Sequence, residues 1–260
     1  MKKGSTLISK KNLEVLESLQ TQLHDVRQNL PDDYLDQYWH ELVLSWIYHD
    51  NALEGVVLTL QELKTSLEGA GNLDLSMIPE SEIIIAHRNT IDYVIELSRK
   101  KKLQITLPLI KEIYRQLTPD EEGNKQISYR RETLLHRLYF HEISPPEKIS
   151  YRMRKMVEWA GSAQARKLHP IHYAAEVHSK IITIYPFSTN SGKLARLVMN
   201  MILIHHGFEP LIIHATERQR YYEVLQEPIK ALVRLLVESM KNSLESTVKY
   251  LAQTQSRGTG

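Results

Sequence analysis

Cysteine is absent from the 260-residue chain. That excludes disulfides, thiolate zinc sites and a cysteine nucleophile, and it fits a reducing compartment, with the cytoplasm as the expected location. Glycine and proline are scarce, at 10 each, which leaves no material for a collagen-like or glycine-rich repeat. Long apolar runs are missing too. The stretch from Leu197 to Phe208 is interrupted by Asn200, His205 and His206 and is far short of the roughly 20 residues that cross a bilayer, so no membrane partner is expected. The basic opening Met1-Lys2-Lys3 is not followed by the apolar segment of a secretion signal. Charge of one sign is lacking as well: 33 Lys plus Arg against 31 Asp plus Glu leave +2, so any basic site must be local. What is present is an ordinary globular load, 42% hydrophobic and 25% charged, enough to bury a substantial core.

Apolar residues recur at i, i+3, i+4 and i+7 almost throughout, which predicts a mostly helical, all-α fold. Helices are expected from about Asn12, as N-cap, to Asn29; from Tyr34 to His49; from Thr59 to Glu68; from Ser81, as cap, to Lys102; and from Thr106 to Leu117. Others are expected over about His169 to Ile184, Gly192 to His206 and Arg218 to Thr254. Between Ile127 and Ile143 the residues Tyr129, Thr133, Leu135, Leu138, Tyr139 and Phe140 suggest one short β-hairpin, closed by Ser144-Pro145-Pro146. Three segments follow from this reading: an N-terminal helical region over 1–105, a core over 106–230, and a C-terminal helix with a polar tail over 231–260.

Two apolar-periodic helices flank Tyr185-Pro186-Phe187-Ser188-Thr189-Asn190-Ser191-Gly192-Lys193. Small polar residues and a glycine directly before a helix leave backbone amides unpaired, with the positive end of the helix dipole and the Lys193 and Arg196 cations beside them. The loop is therefore either an anion site or an ordinary turn between helices. It is not a Walker loop, because Phe187 stands where the first glycine belongs and Leu194 follows the lysine.

The run from His178 through Tyr185-Pro186-Phe187 to Gly192-Lys193, Arg196 and Asn200 resembles the signature of the Fic (Fido) family, HxxxxxIHPFxDGNGRxxR. The likeness extends over about residues 40–230, with Ser128-Tyr129-Arg130 through Ser162 similar to the segment that carries the family's flap hairpin. Upstream, Asp50-Asn51-Ala52-Leu53-Glu54-Gly55 is similar to the family's inhibitory segment, [ST]xxxE[GN]. The resemblance implies the Fic fold, ATP and Mg2+ as cofactors, and transfer of AMP to a hydroxyl of a target protein aligned at the flap. It makes Tyr185 the occupant of the catalytic histidine's place, and Ser188, Thr189, Asn190, Ser191, Gly192, Lys193 and Arg196 the nucleotide-phosphate cradle. Glu54 would be the inhibitory carboxylate paired with Arg196.

This sequence departs from that pattern at the positions that do the chemistry. Tyr185 replaces the general base, and a phenol with a pKa near 10 is deprotonated in only about one molecule in a thousand at pH 7. Thr189 replaces the acid that holds the metal, Asn190 and Ser191 replace Gly and Asn, Lys193 replaces the first arginine, and Asp50 replaces the inhibitory Ser or Thr. No metal ligand remains in the loop, Mg2+ is doubtful and ATP binding is expected to be weak or lost. The leading expectation is a pseudoenzyme, or a nucleotide- or protein-binding module, with an unknown target protein or a second copy of the chain as partner. The alternatives are a divergent nucleotidyl or phosphoryl transferase using a base such as His178, and a nucleic-acid-binding regulator using Lys125, Arg130, Arg131, Arg137, Lys148, Arg152, Arg154 and Lys155. Nucleic acid is the least expected partner, since no recognised DNA-binding motif accompanies those residues.

Overall fold

The computed structural model describes residues 7–68, 78–118, 127–134 and 142–258. Helix α1 spans Lys10–Gln28 and starts one turn before the expected Asn12, because Ser9 is the cap: its Oγ accepts the Asn12 N–H at 3.2 Å. Helix α2, Asp32–Leu53, runs past the expected stop at His49. It ends in a Schellman arrangement, with Gly55 N–H donating to Ala52 O and Val56 N–H to Asn51 O, both at 3.0 Å. Gly55 sits at φ +87°, a conformation glycine adopts without strain. Helix α3, Leu60–Glu68, opens on a reciprocal box between Thr59 and Glu62: Thr59 Oγ1 accepts the Glu62 N–H at 3.1 Å and Glu62 Oε2 accepts the Thr59 N–H at 2.6 Å.

Helix α4, Ile78–Ser98, corrects two expectations. Ser81 lies inside the helix and bonds the Ser66 hydroxyl at 2.9 Å instead of capping, and the cationic run Arg99 to Lys102 follows the helix end. Helix α5, Leu107–Leu117, is capped by Thr106 as its sequence suggests. Then come α6, Pro146–Ala160; α7, Pro170–Ile184; and α8, Ser191–His205. The single C-terminal helix expected from Arg218 is two, α9 over Arg218–Val224 and α10 over Ile229–Gly258, interrupted where Pro228 denies the backbone a donor.

No strand occurs among the described residues. The expected β-hairpin is not seen: its flanks, 127–134 and 142–144, are irregular, and its centre, 135–141, lies outside the described residues. The flanks are instead fastened to the last turn of α7 and the loop after it, Ser144 N–H donating to Thr183 O and Arg130 N–H to Pro186 O, each at 2.9 Å. Those two backbone donors are spent there.

Helix α8 occupies the centre. Thirteen of its 15 residues are buried, from Ser191 to Leu203, as befits a helix with apolar residues on every side. It packs chiefly along α7 and is crossed by α4 and α5, while α10 packs on α7 and on α1. One apolar cluster runs from Ile8 in the N-terminal segment through the core to Leu251 in α10. Full burial of each large aliphatic side chain contributes about 1.5–3 kcal/mol, so α8 and the loop that starts it are held on all sides.

Candidate functional site

The loop between α7 and α8 is shaped by two residues with positive φ. Asn190, at φ +55°, precedes α8; the family pattern has glycine there, and asparagine is among the side chains that tolerate the left-handed region best. Tyr185, at φ +48°, ends α7, and a bulky residue in that conformation carries strain of about 1–3 kcal/mol. It persists because the surroundings fix it. Arg130, itself 4% exposed, donates from Nε to Tyr185 O at 2.7 Å, from Nη1 to Glu132 O at 2.7 Å, and from Nη2 to Ser144 O. A guanidinium at the carbonyl end of α7 also suits the negative end of its dipole. Arg130 was grouped in sequence with a basic stretch; it is a buried tie between loop and flap root, with no surface for nucleic acid. Lys125 and Arg137 of that stretch lie outside the described residues.

Phe187 anchors the middle of the loop by stacking on Tyr114 at a centroid distance of 3.7 Å and an interplanar angle of 13°. Ser191 closes it: its hydroxyl accepts the Phe187 N–H and donates to Phe187 O, both at 2.9 Å. Asn190 Nδ2 donates to Thr118 Oγ1 at 3.1 Å, and Thr189 Oγ1 lies 3.3 Å from the Tyr114 hydroxyl. No side chain caps α8, so its first amides and dipole face whatever lies at Gly192.

What lies there is Glu54. A methyl built on Gly192 would sit 2.0 Å from Glu54 Oε1 and 3.3 Å from Arg196 Nη1, so the carboxylate rests directly on the first turn of α8. Arg196 Nη2 donates to Glu54 Oε1 at 3.0 Å, Arg196 Nε donates to Asp50 Oδ1, and Asp50 Oδ2 is 3.3 Å from His87 Nε2 on α4. Lys193 Nζ donates to Asn51 Oδ1 at 2.7 Å. The end of α2 is in turn held by α9: Arg218 Nε and the Tyr222 hydroxyl both donate to Leu53 O, at 3.0 and 3.1 Å. A carboxylate at a helix C-terminus is unfavourable for its own helix by about 0.3–1 kcal/mol, whereas the same group at the N-terminus of another is favourable. Glu54 is therefore placed for α8 and Arg196, not for α2.

The electrostatics follow from burial. Desolvation works against the Asp50 charge, yet the Arg196 guanidinium and the His87 ring outweigh it and hold the carboxyl down at about 2. Burial pushes the His87 ring below its ordinary range against the pull of Asp50, which keeps it neutral at pH 7. Desolvation also opposes Arg196, but Asp50 and Glu54 overcome it and the guanidinium stays charged. Lys193 is lowered by burial, with the two carboxylates pulling the other way.

Tyr185 is 1% exposed, so its ring is part of the interior. His178, the other base weighed from sequence, is fully buried and bonds the Tyr221 hydroxyl at 2.9 Å; it is a core histidine. The donor set does not fit Mg2+. Ser188 to Lys193 supply no carboxylate, the two that reach α8, Asp50 and Glu54, are both engaged by Arg196, and a hard dication needs anionic oxygens. An anion does fit the first turn of α8, which already receives one from Glu54.

His87, Arg130, Arg218 and Tyr222 were not singled out for these roles in the sequence. None had a local signal, because each acts on a partner far along the chain, 37 residues away for His87 with Asp50, 55 for Arg130 with Tyr185 and 165 or more for Arg218 and Tyr222 with Leu53.

Comparison with known proteins gives the family and the fold. Residues 104–203 match the Fic/DOC family. The chain is 31% identical over 215 residues to the protein adenylyltransferase Fic of Nematostella vectensis, covering 82% of this chain and 50% of that protein. To the protein of that name in Drosophila grimshawi it is 29% identical over 232 residues, covering 84% and 47%. The chain thus spans about half the length of the curated relatives it matches. Its fold superposes on a Fic domain-containing signalling protein of Bacteroides thetaiotaomicron with a TM-score of 0.74, at 22% identity and over 92% of this chain and 97% of that one. On Fic-1 of C. elegans the TM-score is 0.77, at 22% identity and over 94% and 73%. The chain is a member of the Fic family.

Proposed function

We propose that this chain is a Fic-fold pseudoenzyme, a binding module whose AMP-transfer chemistry is lost and whose phosphate cradle is held shut by its own Glu54. The observation that carries this reading is Tyr185, a phenol in the place of the motif histidine, 1% exposed and walled into the interior. Loss of a general base alone costs about 10²–10⁴ in rate, and the absence of a loop carboxylate for Mg2+ compounds it. A divergent transferase using His178 is disfavoured by the 2.9 Å bond that commits that ring to Tyr221 in the core. The relatives' name, protein adenylyltransferase, supports the ancestry of the site rather than its present chemistry. The surviving function is docking: the described flanks 127–134 and 142–144, tied to the loop by Arg130, are the surface offered to a target protein. No described helix is long and apolar enough to cross a membrane.

The test is label transfer from α-labelled ATP with Mg2+ to protein, comparing the native chain with Glu54→Gly. Both are expected to be silent. Label incorporated by either, at a rate above that of heat-inactivated protein, overturns the pseudoenzyme reading and requires a base that Tyr185 and His178 do not supply.

A further inference from the structure

We infer that Asp50 is a second restraint on Arg196, independent of Glu54, so that withdrawing Glu54 alone leaves the loop's guanidinium fastened to α2. The inference rests on the reading that the first turn of α8 and Arg196 form the phosphate-facing site, and it names what keeps that site closed.

Six contacts carry it. Asp50 and Glu54 lie one turn apart on α2, at i and i+4, and so share a face. Both engage the same guanidinium, which is 2% exposed: Nε donates to Asp50 Oδ1, and Nη2 donates to Glu54 Oε1 at 3.0 Å and to the Asp50 carbonyl at 3.3 Å. Asp50 is the deeper of the two carboxylates and is backed from α4 by His87 at 3.3 Å. The neighbouring Asn51, whose Nδ2 is pinned to Ile47 O at 2.8 Å, takes the second loop cation, Lys193, at 2.7 Å.

The charges on this patch cancel, with two cations, Lys193 and Arg196, against two anions, Asp50 and Glu54. Arg196 Nη1, beside Gly192, is buried without a hydrogen-bond partner. A phosphate entering this site would have to draw Arg196 away from Asp50 as well as Glu54. The Ser or Thr of the family pattern carries no charge at the position of Asp50, so removing the glutamate there would free an arginine that here stays paired. A ligand whose competent state is populated only in a small fraction of molecules binds more weakly by that same fraction. Asp50 is thus a positioning residue: it sets where Arg196 is, and touches no substrate.

The experiment uses the full chain labelled with 15N-arginine, as native protein, Glu54→Gly and the double variant Asp50→Ser/Glu54→Gly. The Arg196 Nε–H resonance is assigned by its loss in Arg196→Lys. In Glu54→Gly this proton is expected to keep its shift and to exchange with solvent within about 3-fold of the native rate, since a buried bond opens only with its surroundings. Acceleration by about 100-fold or more in Glu54→Gly overturns the inference, and it does so even where the double variant fails to fold. ATP without metal is titrated in parallel. Glu54→Gly is expected to bind within about 3-fold of native and the double variant at least about tenfold tighter. Equal binding by the single and double variants, with Nε–H equally protected in both, overturns the second restraint. A double variant that releases Nε–H yet binds ATP no better than native upholds the restraint and refutes the phosphate-site reading beneath it.

Discussion

Replacing Gly192 with alanine tests the central contact at the site with one methyl group. The added Cβ would meet Glu54 Oε1 at 2.0 Å and Glu54 Cδ at 3.0 Å, closer than any carbon packs, so the carboxylate must leave the first turn of α8. The backbone itself accepts the change, because Gly192 is helical, and an alanine in a helix is favoured over glycine by up to about 1 kcal/mol. Against that stands the bond from Arg196 to Glu54. A buried hydrogen bond between charged groups contributes about 1.5–3 kcal/mol, so Gly192→Ala is expected to lower stability by about 1–2 kcal/mol net. In a Glu54→Gly background the obstruction is gone and only the helix term remains, so the same alanine is expected to be neutral or stabilising. The double-mutant cycle, read by urea unfolding with the buried Trp46 as fluorescent reporter, is expected to show a coupling of about 1–2 kcal/mol. Equal destabilisation in both backgrounds would falsify the placement of Glu54 against Gly192.

Other consequences can be measured separately. Asp50 titrates near 2 in the folded chain against 3.8 for an ordinary side chain, so its stabilisation is present above about pH 4 and is lost as pH falls through 2. The difference corresponds to about 2 kcal/mol, and native protein is expected to lose that much more stability than Asp50→Asn between pH 4.5 and 2; parallel curves would show that Arg196 does not hold the carboxylate. Arg130→Met removes a guanidinium that three carbonyls share and is expected to cost about 3 kcal/mol. It should also raise exchange at the Ser144 amide and at the residue-130 amide bonded to Pro186 O, whereas a loss below about 1 kcal/mol would mean that the flap root is held by other contacts.

The helices and the loop could be read from the chain because both are encoded locally. Periodic apolar positions and the short polar or proline-bearing breaks between them each specify their own neighbourhood. The family signature is likewise contiguous, so its departures at Tyr185, Thr189 and Lys193 are visible without coordinates. Boundaries that failed did so where a stronger cap lay nearby, as with Ser9 ahead of Asn12, or where a serine found a buried partner, as Ser81 found Ser66. The expected hairpin is not seen: its centre, 135–141, lies outside the described residues, and on its flanks the Arg130 and Ser144 donors are taken by Pro186 O and Thr183 O.

By itself, then, the sequence determined a mostly helical chain, the loop at 185–196 and the presence of Tyr185 and Thr189 where the family pattern has a histidine and an acid, since each of these depends on which side chains stand next to one another along the backbone. Only the tertiary structure decided how the remaining charges are used. Asp50 and Glu54 meet Arg196 across up to 146 residues of chain, with His87 against Asp50, and pairing in a buried site is fixed by the packing of α2, α4 and α8, which no local pattern specifies. The same holds for Arg130: a cation in a basic run becomes a buried tie because the fold surrounds it with carbonyl oxygens that would otherwise lack a partner.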